Sequence, residues 1–92
     1  MDLPTNYTKL TPVERRQVRE QYVTLQQGLC YYCKEPLLLK SKKAEIYKIK
    51  THLFPENFFK WPVHLHHNHD TGMTIGAVHA RCNAVLWQYF GE

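Results

Sequence analysis

The sequence predicts a small α+β domain, with an N-terminal helix followed later by a β-hairpin that runs into a final helix. Three observations predict it. At 92 residues the chain is one domain's worth, with room for only a marginal core. Apolar residues recur at helical spacing near the start and again at the end, while residues 63–78 hold two short strand-like runs around a turn signal. Two pairs of soft metal ligands, Cys30 with Cys33 and His79 with Cys82, share the same two-residue gap.

The elements follow in order. Residues 1–10 read as a poorly ordered lead-in. The helix, over 11–28, starts at Thr11-Pro12-Val13-Glu14: Thr11 can cap, Pro12 sits where an N–H is not needed, and Glu14 can close a capping box. Val18, Tyr22 and Leu25 form its apolar stripe, and Gly28 offers a stop. Arg15, Arg16 and Arg19 lie on its other faces; a solvated helix face is the default reading, with a phosphate-contacting patch as the alternative. Cys30 to Cys33 form a tight turn closed by Glu35-Pro36. From Glu45 to Leu53 apolar and basic residues alternate, which predicts a half-buried strand with Lys48, Lys50 and His52 outward. The aromatic, Pro-punctuated stretch from Phe54 to Pro62 predicts a turn packed on the core. Val63 to His67 reads as a strand, Asn68 to Gly72 as the hairpin loop, Met73 to Val78 as the return strand, and Ala80 to Phe90 as a helix.

Twelve Lys and Arg against eight Asp and Glu give a formal charge of +4, which suits a polyanionic partner without requiring one. The start, Met1-Asp2-Leu3-Pro4, has no apolar run, and no stretch is long enough to span a bilayer, so neither a signal peptide nor a membrane partner is expected. Three cysteines, an odd number with two of them three positions apart, argue against disulfides and for a reducing compartment.

A structural zinc site takes four N or S ligands, commonly as two closely spaced pairs. Cys30 and Cys33 on a turn, and His79 and Cys82 at a helix start, supply such a Cys₃His set. A redox pair at Cys30 and Cys33 is the alternative, but it leaves His79 and Cys82 unexplained and lacks a βαβ setting.

Three more histidines fall within four positions, His66, His67 and His69, just before Asp70-Thr71-Gly72. Neighbours in a regular strand point to opposite faces, so His66 and His67 serve one site only if the strand bends there. Asn83, four residues after His79 on the final helix, shares a face with it. Surface histidines or a second zinc site are the plainer readings. His64, flanked by Val63 and Leu65, reads as structural.

The run His66-His67-Asn68-His69-Asp70-Thr71-Gly72, then Gly76-Ala77-Val78, then His79-Ala80-Arg81-Cys82-Asn83, resembles the HNH (His-Me finger) endonucleases, and most of all the recombination endonuclease VII type found in phages. With Cys30 and Cys33 the resemblance spans residues 30–90. It implies a ββα-metal module over 63–90, stapled by the Cys₃His zinc, within a single domain over 1–92. By position, His67 would be the general base, His66 and Asn83 the protein ligands of a catalytic divalent metal, and His69 an assistant at the scissile phosphate. Arg81 would be a phosphate contact, or simply a surface arginine. DNA is the implied partner, and the cytoplasm of a bacterial or phage-infected cell the implied location.

Two departures from the family pattern bear on chemistry. His79 stands for the first Cys of the second zinc pair, which zinc tolerates. His66 stands where this branch commonly has Asp, so Mn²⁺, Co²⁺ or Ni²⁺ should serve better than Mg²⁺. The chain also ends at Glu92, without the long dimerisation region of junction-resolving members, so a nicking monomer is expected over a dimer that makes paired cuts. A zinc-stabilised nucleic-acid-binding module without catalysis, and a purely structural zinc domain for protein contacts, are the alternative functions.

Overall fold

The computed structural model describes residues 2–92. Helix α1 spans Pro12–Leu25 and begins as its sequence predicts. The Thr11 hydroxyl accepts from the Glu14 N–H at 3.2 Å, and the Glu14 carboxylate accepts from the Thr11 N–H at 2.9 Å. These bonds satisfy two of the donors that a helix start leaves open. Val18 and Tyr22 are buried as expected, but Leu25 is 66% exposed. Helical spacing gives a side chain's direction, not the extent of the surface beneath it. The last contact is made instead by Gln26, whose amide accepts from the Ala77 N–H (2.8 Å) and donates to the Ala77 carbonyl (2.9 Å).

After the Cys30–Cys33 turn, the strand expected over 45–53 does not form. Ser41 caps a single turn of helix, α2 (Lys42–Glu45), and the Glu35 carboxylate accepts from the Lys42 and Lys43 N–H groups at 3.2 Å each. Thr51–Leu53 make a 3₁₀ turn. The alternation tracks burial over only half its length: Tyr47 and Ile49 are half-buried against the core and Lys48 and Lys50 exposed, but Thr51 and Leu53, expected on the covered side, are exposed too. What is missing is a neighbouring strand. The backbone here bonds to the Gln88 side chain, with Lys50 N–H donating to Gln88 Oε1 (3.0 Å) and Gln88 Nε2 donating to the Lys48 carbonyl (3.0 Å).

Strands β1 (Val63–His67) and β2 (Thr74–His79) pair antiparallel, with Val63 opposite His79 and Leu65 opposite Ala77. His66 faces Gly76 but His67 faces Thr74, so Ile75 is an extra residue and the ladder is irregular at His66/His67. The loop is held by Asn68, whose Oδ1 accepts from the Asp70 and Thr71 N–H groups at 2.8 and 2.9 Å. Gly72, at φ 78°, then turns the chain. Helix α3 spans Ala80–Phe90, with Gly91 in the left-handed region after it. The core gathers Val18, Leu37, Leu65, Ala77, Val78 and Val85 between α1, the hairpin and α3. No described helix is long and apolar enough to cross a membrane.

Residues 2–10 are not a loose lead-in. They lie along the outer edge of β2: Thr74 N–H donates to the Thr5 carbonyl and Tyr7 N–H to the Gly72 carbonyl, both at 2.8 Å. Farther along the same edge, Tyr31 N–H donates to the Ala77 carbonyl at 2.9 Å, beside Gln26. Nothing in the local pattern of residues 1–10 announces this, because the segment contributes only backbone groups to these bonds, including the Thr5 N–H that donates to Thr74 Oγ1 at 3.0 Å.

Gly76 lies under this cover. A Cβ there would come within 2.7 Å of Gln26 Oε1 and 3.0 Å of Tyr31 Cβ. The Gln26 amide is already committed to Ala77 and to the Leu29 carbonyl, so it has little freedom to yield. Gly76→Ala is therefore expected to destabilise the domain by about 1–3 kcal/mol, read as a lowered urea midpoint with an unchanged slope.

Candidate metal centre and histidine cleft

The turn after α1 and the junction between β2 and α3 converge on one spot. The ligand atoms of Cys30, Cys33, His79 and Cys82 all lie within 4.8 Å of one another. His79 is the last residue of β2 and the N-cap position of α3, so Cys82 follows one helical turn later on the same face. His79 Nδ1 is 3.4 Å from Cys33 Sγ and 3.6 Å from Cys82 Sγ. Zinc bonds of about 2.3 Å to sulfur and 2.0–2.1 Å to nitrogen put the S···N edges of a tetrahedral site about 3.5–3.6 Å long. The cluster has the dimensions and donor set to hold zinc.

The opposite ring nitrogen, His79 Nε2, donates to the Pro36 and Leu39 carbonyls at 2.9 and 2.7 Å. That fixes the tautomer and leaves the Nδ1 lone pair for a metal, as second-shell carbonyls do around zinc. The three thiols are not equivalent. A hydrogen bond from Cys82 outweighs burial and holds the Cys30 thiol down at about 4. The same bond to Cys30, with burial, pushes Cys82 far up, and burial raises Cys33. One sulfur ionises readily, and its charge opposes the next. A dication would lift that opposition, with release of protons. Among the described residues no other group of three or more His, Cys, Asp or Glu is so arranged.

The second candidate site is a cleft of about 570 Å³ lined by residues of α1, β1, α3 and the segment 53–61, with Tyr7. His67, His69 and Asn83 line it together. His66 does not line it: the ring is 2% exposed, and its Nδ1 is the one buried side-chain nitrogen or oxygen without a hydrogen-bond partner among the described residues. Burial pushes His66 below the usual imidazole range, against the pull of the Glu92 carboxylate and the Asn83 side chain. Arg81 is exposed and lines a separate groove with Phe59, Pro62 and residues 37–41.

His64, which its apolar neighbours mark as a structural strand residue, orients Asn83. His64 Nε2–H donates to the Phe58 carbonyl at 2.8 Å, so its Nδ1 is free to accept from Asn83 Nδ2 at 3.2 Å. The amide is thereby turned, with its oxygen left for another partner. Strand alternation held the clue, since His64 and His66 share a face of β1 and both meet Asn83 of α3. Tyr7 carried no such clue. Its ring stacks on His67 at 4.0 Å with 5° between planes, and the Arg15 guanidinium covers its other side at 4.0 Å. His69 tilts against His67 at 4.9 Å. Burial, then the charges of His69, His66 and Arg15, hold His67 below its ordinary value and so favour the neutral ring. Arg15 and Arg19 are half-buried and line the cleft, whereas Arg16 alone of the three is a plain solvated residue.

No protein-family description matches the chain, and no curated protein or solved structure matches it.

Metal analysis of the purified protein should find about one zinc per chain. Structural zinc contributes an apparent free energy on the order of 10 kcal/mol, comparable to the roughly 5–15 kcal/mol that separates a small domain from its unfolded state. A strong zinc chelator, or Cys82→Ser, is therefore expected to abolish the cooperative thermal transition. A zinc-free protein that melts like the loaded one would overturn the assignment.

Proposed function

We propose that this chain is a metal-dependent DNA endonuclease of the HNH (His-Me finger) type, built on a ββα-metal module and cutting one strand at a time. One observation carries the reading: His67 and Asn83, remote in sequence, line the same cleft beside two arginines, and among the described residues no carboxylate lines it. Such a cleft suits a phosphodiester, which is anionic and whose hydrolysis needs a base next to electrostatic stabilisation.

Two protein groups would hold a divalent metal: the Asn83 amide in the cleft, whose nitrogen is taken by His64, and the unpartnered Nδ1 of His66, which is buried next to Asn83 and outside the cleft lining. When bound, such a cation supplies Lewis-acid stabilisation of charge on the phosphate and on the leaving 3′ oxygen. The chain's own residues do the rest. His67, kept neutral by its surroundings, takes a proton from the attacking water. Tyr7, clamped under Arg15, fixes the plane of that imidazole. His69 stands on its open flank, where it can donate to a phosphate oxygen. Arg15 and Arg19 supply the nearest fixed positive charge, and Arg81, on another groove, is left for more distant phosphates.

A supercoiled-plasmid assay across divalent metals tests this. Nicking should be fastest with Mn²⁺, Co²⁺ or Ni²⁺ and slower with Mg²⁺, because imidazole is a softer ligand than carboxylate. His67→Ala should retain the fold and its zinc but lose about 10²–10⁴-fold in rate. Wild-type nicking by that variant would remove the assigned base, and tight DNA binding without cleavage would favour a non-catalytic binding module.

The pH profile has a definite sign. A base whose pKa lies below the ordinary imidazole value stays unprotonated through neutrality. The rate should stay level as pH falls towards about 6.5 and decline only on the acid side of it. An acid limb centred above pH 7 would contradict this electrostatic setting.

A further inference from the structure

Besides Arg15 and Arg19, the cleft has an aromatic wall. Residues 54–61 carry Phe54, Phe58 and Trp61 into it, and α3 adds Trp87. The inner rings pack on one another, with Phe54 4.7 Å from Phe58 and 5.5 Å from Trp87. Both tryptophans keep much of their surface open: Trp61 is 61% exposed and Trp87, though it meets Phe54, 43%. Folding gains little from tryptophans placed there, since much of their apolar surface stays in water. The wall is also tied to the floor. Phe58 meets the His64 ring edge-on at 4.6 Å and accepts its hydrogen bond, and His64 in turn holds Asn83.

Charge selects the occupant. Besides the two arginines, the Lys60 ammonium sits 5.3 Å from the centre of the Trp61 ring. With no carboxylate in the lining, an acidic peptide or a purely apolar segment would match only one wall, whereas a nucleotide matches both. The lining also selects its form. Flat rings beside a cationic track are the elements by which proteins hold single strands, because every base has a face to stack.

We infer that the cleft takes a single DNA strand, with an unpaired base stacked on the aromatic wall at Trp61 and Trp87 and its phosphates facing Arg15 and Arg19. The substrate class is then DNA with unpaired bases (single strands, flaps or frayed ends) in preference to continuous duplex. The choice of DNA as the polymer rests on the nuclease reading; the preference for a single strand comes from the wall itself.

The test uses the zinc-loaded full chain carrying His67→Ala, with no added divalent metal. Fluorescence anisotropy compares a labelled 12-nucleotide oligothymidylate with a 12-base-pair hairpin duplex at low salt. The single strand should bind at least about tenfold more tightly and quench tryptophan emission. Adding Trp61→Ala should weaken strand binding by about ten- to a hundredfold, Trp61→Phe should restore most of it, and duplex binding should barely change. Equal or tighter duplex binding would overturn the inference, as would unchanged strand binding in both Trp61→Ala and Trp87→Ala, or no oligonucleotide binding at all. The two proposals fail separately. Loss of metal-dependent nicking with strand preference intact removes only the nuclease. Nicking that depends on His67, with no strand preference, removes only this inference.

Discussion

The two nitrogens of one imidazole ring organise this molecule. His79 ends β2 and precedes α3, so its backbone sets the angle between hairpin and helix. Its Nδ1 belongs to the Cys₃His cluster, and its Nε2 ties down the carbonyls of Pro36 and Leu39. A ring whose two nitrogens are both committed cannot rotate, and what it joins is otherwise distant in the chain. The knuckle at Cys30–Cys33, the loop through residues 36–41 and the start of α3 are all registered against this one side chain. Four residues farther along the same helix stands Asn83, so the precision of the cleft floor derives from a cluster that takes no part in lining it.

The hairpin and final helix were legible because their signals are local. Val63–His67 and Ala80–Phe90 coincide with the elements seen, and β2 is displaced by a single residue. The Cys₃His set was legible too, since matched spacing is a covalent property of the chain. Residues 45–53 make no strand, because a strand requires a partner backbone and here Gln88 takes that place; their alternation follows burial only as far as Lys50.

The cleft was legible only in part. His67, His69 and Asn83 come together as motif spacing suggests, but the second layer around them is tertiary. Tyr7 reaches His67 across 60 positions of sequence, through bonds made by backbone groups that every residue possesses. His64 looked like a strand residue between two apolar neighbours, and it is one; its role at Asn83 follows from sharing a face with His66. Arg15 and Arg19 looked solvated because a helical wheel shows a polar face without showing what stands opposite it.

The Gln26 side chain has a wider meaning for a chain this short. A primary amide carries the same donor and acceptor as a peptide unit, so one glutamine at the end of α1 imitates a link of a third strand against Ala77. With Tyr31 and the segment around Thr5 it closes an edge that would otherwise template pairing with other extended chains. A two-stranded sheet thereby gains the insulation of a wider one without the residues to build it. The outer edge of β2 thus spends its hydrogen bonds inside its own chain.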